Sequence, residues 1–153
     1  ACFAPYHAAI AARLDALLAV GTPPALLSIH SFTPVMGGVA RPWHVGILWD
    51  RDVRIPLPLL AALGADKGIT VGDNQPYSAR EPAGYTMRHH AVARGLPHVA
   101  IELRQDLVAS DDGARSWAAR LAAALRPILA RRDIYRVESA AAASGNRHRA
   151  SPH

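Results

Sequence analysis

Three short apolar runs, Ala25 to His30, His44 to Trp49 and His98 to Leu103, are separated by stretches in which apolar residues recur at helical spacing. Runs of this length suit strands, and their spacing leaves room for a helix in most gaps. Strands and helices in alternation can bury their apolar sides together only as layers. The pattern therefore predicts an α/β fold with a mixed, largely parallel sheet covered by helices.

The local signals agree with that reading. Tyr6, Ile10, Leu14, Leu17 and Leu18 place residues 4–20 in a helix, Gly21 stands at its cap, and Thr22, Pro23 and Pro24 end it. The run Ala25 to His30 reads as a buried strand. Gly37 and Gly38 mark a loop, and the strand from His44 closes on the charged turn Asp50, Arg51, Asp52. Residues 57–63 read as a short helix ended by Gly64. Gly72, Asp73, Asn74 and Pro76 have turn chemistry, and residues 85–94 return to helix before Gly95. Pro97 introduces the strand that carries Glu102, after which Ser110 or Asp111 caps a long helix to Arg132. From Ser139 the composition turns to Ala, Ser, Gly, Arg and His, so residues 1–138 are expected to form the folded domain and 139–153 a flexible tail.

Composition narrows the functional classes. The 153 residues are half apolar, enough for one domain with its own core. A lone cysteine, Cys2, cannot make an internal disulfide, and a reducing compartment follows as the default. Arg13 and Asp15 interrupt the apolar start, and no run approaches the ~20 apolar residues that cross a bilayer, so a cytoplasmic protein without a membrane partner is expected. The net charge of +5 comes from arginine, Lys67 being the single lysine. Arg115, Arg120, Arg126, Arg131 and Arg132 fall in one Ala-rich helical stretch, which reads as a solvated face, and no nucleic-acid partner is expected.

Ligands in an open α/β sheet gather beyond the strand ends, where His30, Asp50 and Glu102 stand. Neutral imidazole binds zinc, and a carboxylate takes a proton from water. A strand-end histidine is also a common structural hydrogen-bonding group, so position alone leaves both roles open. His98 and Glu102 share a strand face but lie roughly 13 Å apart, too far for one metal. His89 and His90 point apart on a helix, and His30, His44 and Asp50 form an alternative donor set. Arg54, Arg88 and Arg104 are candidates to hold a substrate carboxylate through the guanidinium fork. Asn74 shapes either the pocket or a turn, Tyr85 either reaches a reacting group or packs, and Trp43, Trp49 and Trp117 suit core or pocket walls.

Ser28-Ile29-His30-Ser31-Phe32 resembles the strand that gives zinc carboxypeptidases their last metal-binding histidine. Ile101-Glu102-Leu103-Arg104 resembles the later strand carrying their catalytic glutamate. A closer resemblance is to the N-formylglutamate amidohydrolases, which share the carboxypeptidase-like (phosphorylase/hydrolase-like) fold. It rests on His30-Ser31-Phe32-Thr33-Pro34, Gly46-Ile47-Leu48-Trp49-Asp50-Arg51-Asp52, Val71 to Ser78, and Arg94-Gly95-Leu96-Pro97-His98 running into Glu102-Leu103-Arg104-Gln105-Asp106. It spans roughly residues 3–130 and corresponds to the C-terminal part of that fold.

The resemblance implies that His30 is a zinc ligand and that Glu102 activates water and passes a proton to the leaving amine. Its implied cofactor is Zn2+ and its implied substrate an N-acyl amino acid, with N-formyl-L-glutamate giving formate and glutamate as in histidine breakdown. One departure matters. A catalytic zinc generally takes three protein ligands, yet only His7 precedes His30 and no His-x-x-Glu occurs in the chain. Together with the start at Ala1, this suggests a fragment whose first ligands are missing, with little activity by itself. The alternative is a non-enzymatic fragment that keeps the fold without a metal site.

Overall fold

The computed structural model describes residues 2–80 and 84–138. The tail expected from Ser139 lies outside the described residues. Helix α1 (Phe3–Ala19) ends where Val20 and Gly21 turn the chain, Gly21 in the left-handed region at φ 71°. The amides of Gly21 and Thr22 donate to the carbonyls of Leu18 and Leu17, so the last-turn acceptors are satisfied without a side chain.

The strands are β1 (Leu26–Phe32), β2 (Val35–Met36), β3 (Val39–Ala40), β4 (Val45–Leu48), β5 (Val71–Asp73) and β6 (His98–Arg104). Four of them form one sheet in the order β1-β6-β4-β5, with β1 parallel to β6, β4 parallel to β5, and β4 antiparallel to β6. The sheet is thus mixed and largely parallel, as the alternation of elements implied. Helices α2 (Pro56–Gly64) and α3 (Asp111–Leu129) cover one face. Ser110 caps α3 by accepting from the amide of Gly113, and Asp111 and Asp112 in its first turn suit the positive end of the helix dipole.

Side-chain alternation along β6 divides the molecule. Val99, Ile101 and Leu103 enter the core with Val45 and Ile47 of β4, Leu59 and Leu63 of α2, and Trp117, Leu121, Leu125 and Ile128 of α3. Each large side chain buried there contributes roughly 1.5–3 kcal/mol. His98, Ala100 and Glu102 face the other way. On that side α1 packs Leu14 against Ala91 and Leu96. A π-helical turn, Met87–Ala91, followed by a 3-10 turn, Val92–Arg94, stands beside it and stops at Gly95, where φ is 62°.

Three elements depart from the sequence pattern. The first apolar run is an edge strand, paired among the described residues with β6 alone, and Ile29 is 58% exposed rather than buried. Periodicity cannot report strand order, so the apolar run looked central. Gly37 and Gly38, both at positive φ, connect the short β2–β3 hairpin rather than an open loop. The stretch expected to be all turn begins as β5, because Val71 to Asp73 finds β4 as a partner; Asn74 then turns the chain at φ 51°. Among the described residues, no helix is long and apolar enough to cross a membrane.

Gly46 of β4 lies opposite Glu102, and the loop after β5 crosses directly over it. A Cβ at Gly46 would come within 2.0 Å of the Gln75 carbonyl oxygen. Gly46→Ala is therefore expected to lose about 1–3 kcal/mol through displacement of that loop. Urea unfolding measures it, and an unchanged midpoint would show that the loop yields at no cost.

Candidate active site

The parallel register of β1 and β6 sets His30 beside Glu102 and Ser28 beside Ala100. All four line one cavity of about 860 Å³ on the sheet face away from α2 and α3. Trp49 to Asp52 and Arg54, after β4, wall one side, and Tyr85, Met87 and Arg88 in and just before the π-helical turn wall another. His7 of α1 and His90 of that region are hydrogen-bonded, Nδ1 to Nε2 at 2.9 Å, which ties the wall to α1.

Glu102 is 9% exposed, and its Oε2 has no hydrogen-bond partner among the described residues. Burial pushes its pKa above the ordinary 4.5, while the charges of His30 and Arg41 pull the other way. The carboxylate is thus held desolvated over a cavity, a state that strengthens it as a base. The Ser28 hydroxyl and His30 Nε2 are 2.7 Å apart, which leaves Nδ1 of His30 for a ligand.

The other candidates separate in space. Arg54 donates to both carboxylate oxygens of Asp52 and to the carbonyls of Ile134, Arg136 and Gly95. Its donors are spent inside the protein, although the side chain lines the cavity. Arg104 pairs with Asp106 and reaches the carbonyls of Arg41 and Pro42, away from the cavity. Asn74 accepts from the amides of Trp49 and Ala79 and so shapes the turn. Arg88 lines the cavity with no ion pair among the described residues. Tyr85 lines it as well, stacked on His89 at 4.3 Å.

Asp50 lines the same cavity but does not stand with Glu102. Because β4 runs antiparallel to β6, with Leu48 opposite Ala100, the end of β4 falls towards His98. His44 lies at the opposite end of β4, accepting from the Thr70 amide, so the set His30, His44 and Asp50 is dispersed. No group of three His, Cys, Asp or Glu among the described residues is placed to hold a metal. His30 and Glu102 stand side by side at this end of the cavity, fewer than the three protein ligands a catalytic zinc generally takes. The sequence reading missed the buried cluster of Asp52, Arg54 and His98, because Asp-x-Arg in a turn is too common a pattern to signal burial.

A family model described as N-formylglutamate amidohydrolase matches residues 1–109. A crystal structure of a gene product from Agrobacterium tumefaciens superposes with a TM-score of 0.77 and 33% identity, over 82% of this chain and 50% of that one. The chain thus spans about half the length of that relative. No curated protein matches it.

The unpartnered carboxylate has a measurable consequence. A group whose native pKa is raised costs stability as pH rises past its unfolded value, here 4.5. Glu102→Gln is expected to be more stable than the native chain at pH 7 by on the order of 1 kcal/mol, with the gain fading towards pH 4.5. Urea unfolding at both pH values measures this, and a less stable variant at pH 7 would contradict the strained carboxylate.

Proposed function

The chain belongs to the N-formylglutamate amidohydrolase family, and from that premise we propose that its cavity serves zinc-dependent hydrolysis of the amide bond of an N-acyl amino acid, with N-formyl-L-glutamate the first candidate. The observation that carries this is the desolvated Glu102 carboxylate, in register with His30 on one cavity floor.

In this reading Glu102 takes a proton from water as the water oxygen bonds to the acyl carbon. It then gives that proton to the departing nitrogen as the C–N bond breaks, releasing formate and glutamate. Burial suits both steps, since a base with a raised pKa is closer to the operating pH. His30, hydrogen-bonded to Ser28, would serve as a zinc ligand, and Arg88, which lines the cavity, would meet a substrate carboxylate. Zinc, when bound, supplies a Lewis acid that polarises the acyl oxygen. Among the described residues one histidine stands there, fewer than the three protein ligands a catalytic zinc generally takes.

That shortfall favours a second reading, a non-catalytic chain that keeps the fold without a metal centre. Zinc titration separates the two. Binding that His30→Ala removes supports a ligand role, whereas equal binding by native and variant chains excludes it. In an assembly that hydrolyses N-formyl-L-glutamate, Glu102→Gln is expected to lower kcat by at least ~100-fold with zinc content unchanged. Metal analysis and formate release measure both, and near-native turnover would move the base elsewhere.

A further inference from the structure

The cavity floor has a second polar end. On β6, His98, Ala100 and Glu102 share one face, and β1 sets Ser28 and His30 beside the last two. Ala100 and Ser28 are small, so a lane runs from the His30–Glu102 end towards His98. Four residues of strand make it roughly 13 Å long.

His98 is fixed from behind. Its Nδ1 lies 2.8 Å from the Leu96 carbonyl oxygen and 3.5 Å from Oδ2 of Asp52. A carbonyl and an ionised carboxylate only accept, so Nδ1 carries the proton. Burial raises the pKa of Asp52, but the hydrogen bonds from His98 and Arg54 outweigh it and keep the carboxyl far below the usual range. Arg54 in turn is anchored to the carbonyls of Ile134 and Arg136. The ring therefore presents a lone pair at Nε2. That atom has no hydrogen-bond partner among the described residues, and the side chain, 12% exposed, lines the cavity.

We infer that His98 is a substrate-binding residue, whose Nε2 accepts a hydrogen bond from an N–H or O–H group lying beyond the acylated amino acid. The inference rests on reading Glu102 and His30 as the reacting end. A single acyl amino acid, at roughly 3.5 Å per extended residue, does not fill a lane of this length, whereas two residues with an acyl cap, an amide cap and a hydrogen bond at either end reach across it. The ligand class that engages both ends is an acylated dipeptide or its amide, with the acyl amide at Glu102 and the remote N–H at His98. N-formyl-L-glutamate engages the reacting end alone.

Long-range 1H–15N correlation on the 153-residue chain with 15N-histidine reads the tautomer directly, and His98→Phe assigns the signal. The expected state is Nδ1–H; a proton on Nε2 would overturn the proposal. Titration then compares N-formyl-L-glutamate with N-formyl-L-glutamyl-glycinamide. The longer probe is expected to shift Nε2 of His98 and to bind about tenfold more tightly. His98→Phe should remove that advantage and leave the shorter probe unchanged. His98→Gln, which keeps an acceptor oxygen, should recover part of it and carries the comparison if near-UV circular dichroism shows the phenylalanine variant misfolded. An advantage that is undiminished in His98→Phe or in His98→Gln, or no shift at His98, would overturn the role. A shift at His98 with none at His30 would instead overturn the reacting end and leave the His98 contact standing.

Discussion

The pairing of β6 with β1 on one side and β4 on the other fixes almost everything of chemical interest in this chain. Because side chains alternate, the same pairing that drives Val99, Ile101 and Leu103 into the core obliges His98, Ala100 and Glu102 to face the cavity. A slip of one residue would exchange the two sets, burying a carboxylate among α2 and α3 and exposing three aliphatic side chains. The core therefore enforces the site. Parallel pairing with β1 then brings His30 to Glu102, and the antiparallel run of β4 carries Asp50 and Asp52 to the opposite end. The absence of a side chain at Gly46 lets the Gln75 segment close over the middle of the sheet.

Two buried carboxylates on the same cavity have opposite energetic roles. Asp52 is satisfied by Arg54 and His98, and its ionisation stabilises the fold above the ordinary carboxylate range, with that contribution lost as pH falls. Glu102 has an unpartnered oxygen, and its ionisation costs stability as pH rises above 4.5. Such divergence separates structural from reactive acids in one site. A carboxylate whose bonds are all made has nothing left to offer a proton or a metal. One left short of partners is a cost that a ligand can relieve.

Much of the fold was legible because it rests on local signals. Leu14 and Leu18 marked the buried stripe of α1, Ser110 its cap on α3, and the β-prone run to Glu102 the strand that carries the acid. What depends on partners was not legible. Ile29 looked like a core residue, since nothing in Ser28-Ile29-His30 says which side of the strand another strand will occupy. Arg54 and Arg88 looked equivalent as cations, yet a turn folds one onto Asp52 and three carbonyls and leaves the other at the cavity. His98 was set aside because it is too far from Glu102 to share a metal. The same distance makes it the other end of a binding lane.

The edge position of β1 bears on how a zinc site around His30 would be completed. On its β6 side the strand is paired, and beyond β6 the floor continues to Gly46, where the Gln75 segment lies too close for even a Cβ. Ligands arriving from that direction would have to displace backbone. On the other side β1 presents seven residues whose outer backbone groups are unpaired among the described residues, with Ile29 exposed beside His30. An edge without lysine, proline or a bulge is open to another strand. The open edge beside His30 is therefore the one approach to that histidine along the sheet that leaves the pairing of β1, β6 and β4 undisturbed among the described residues.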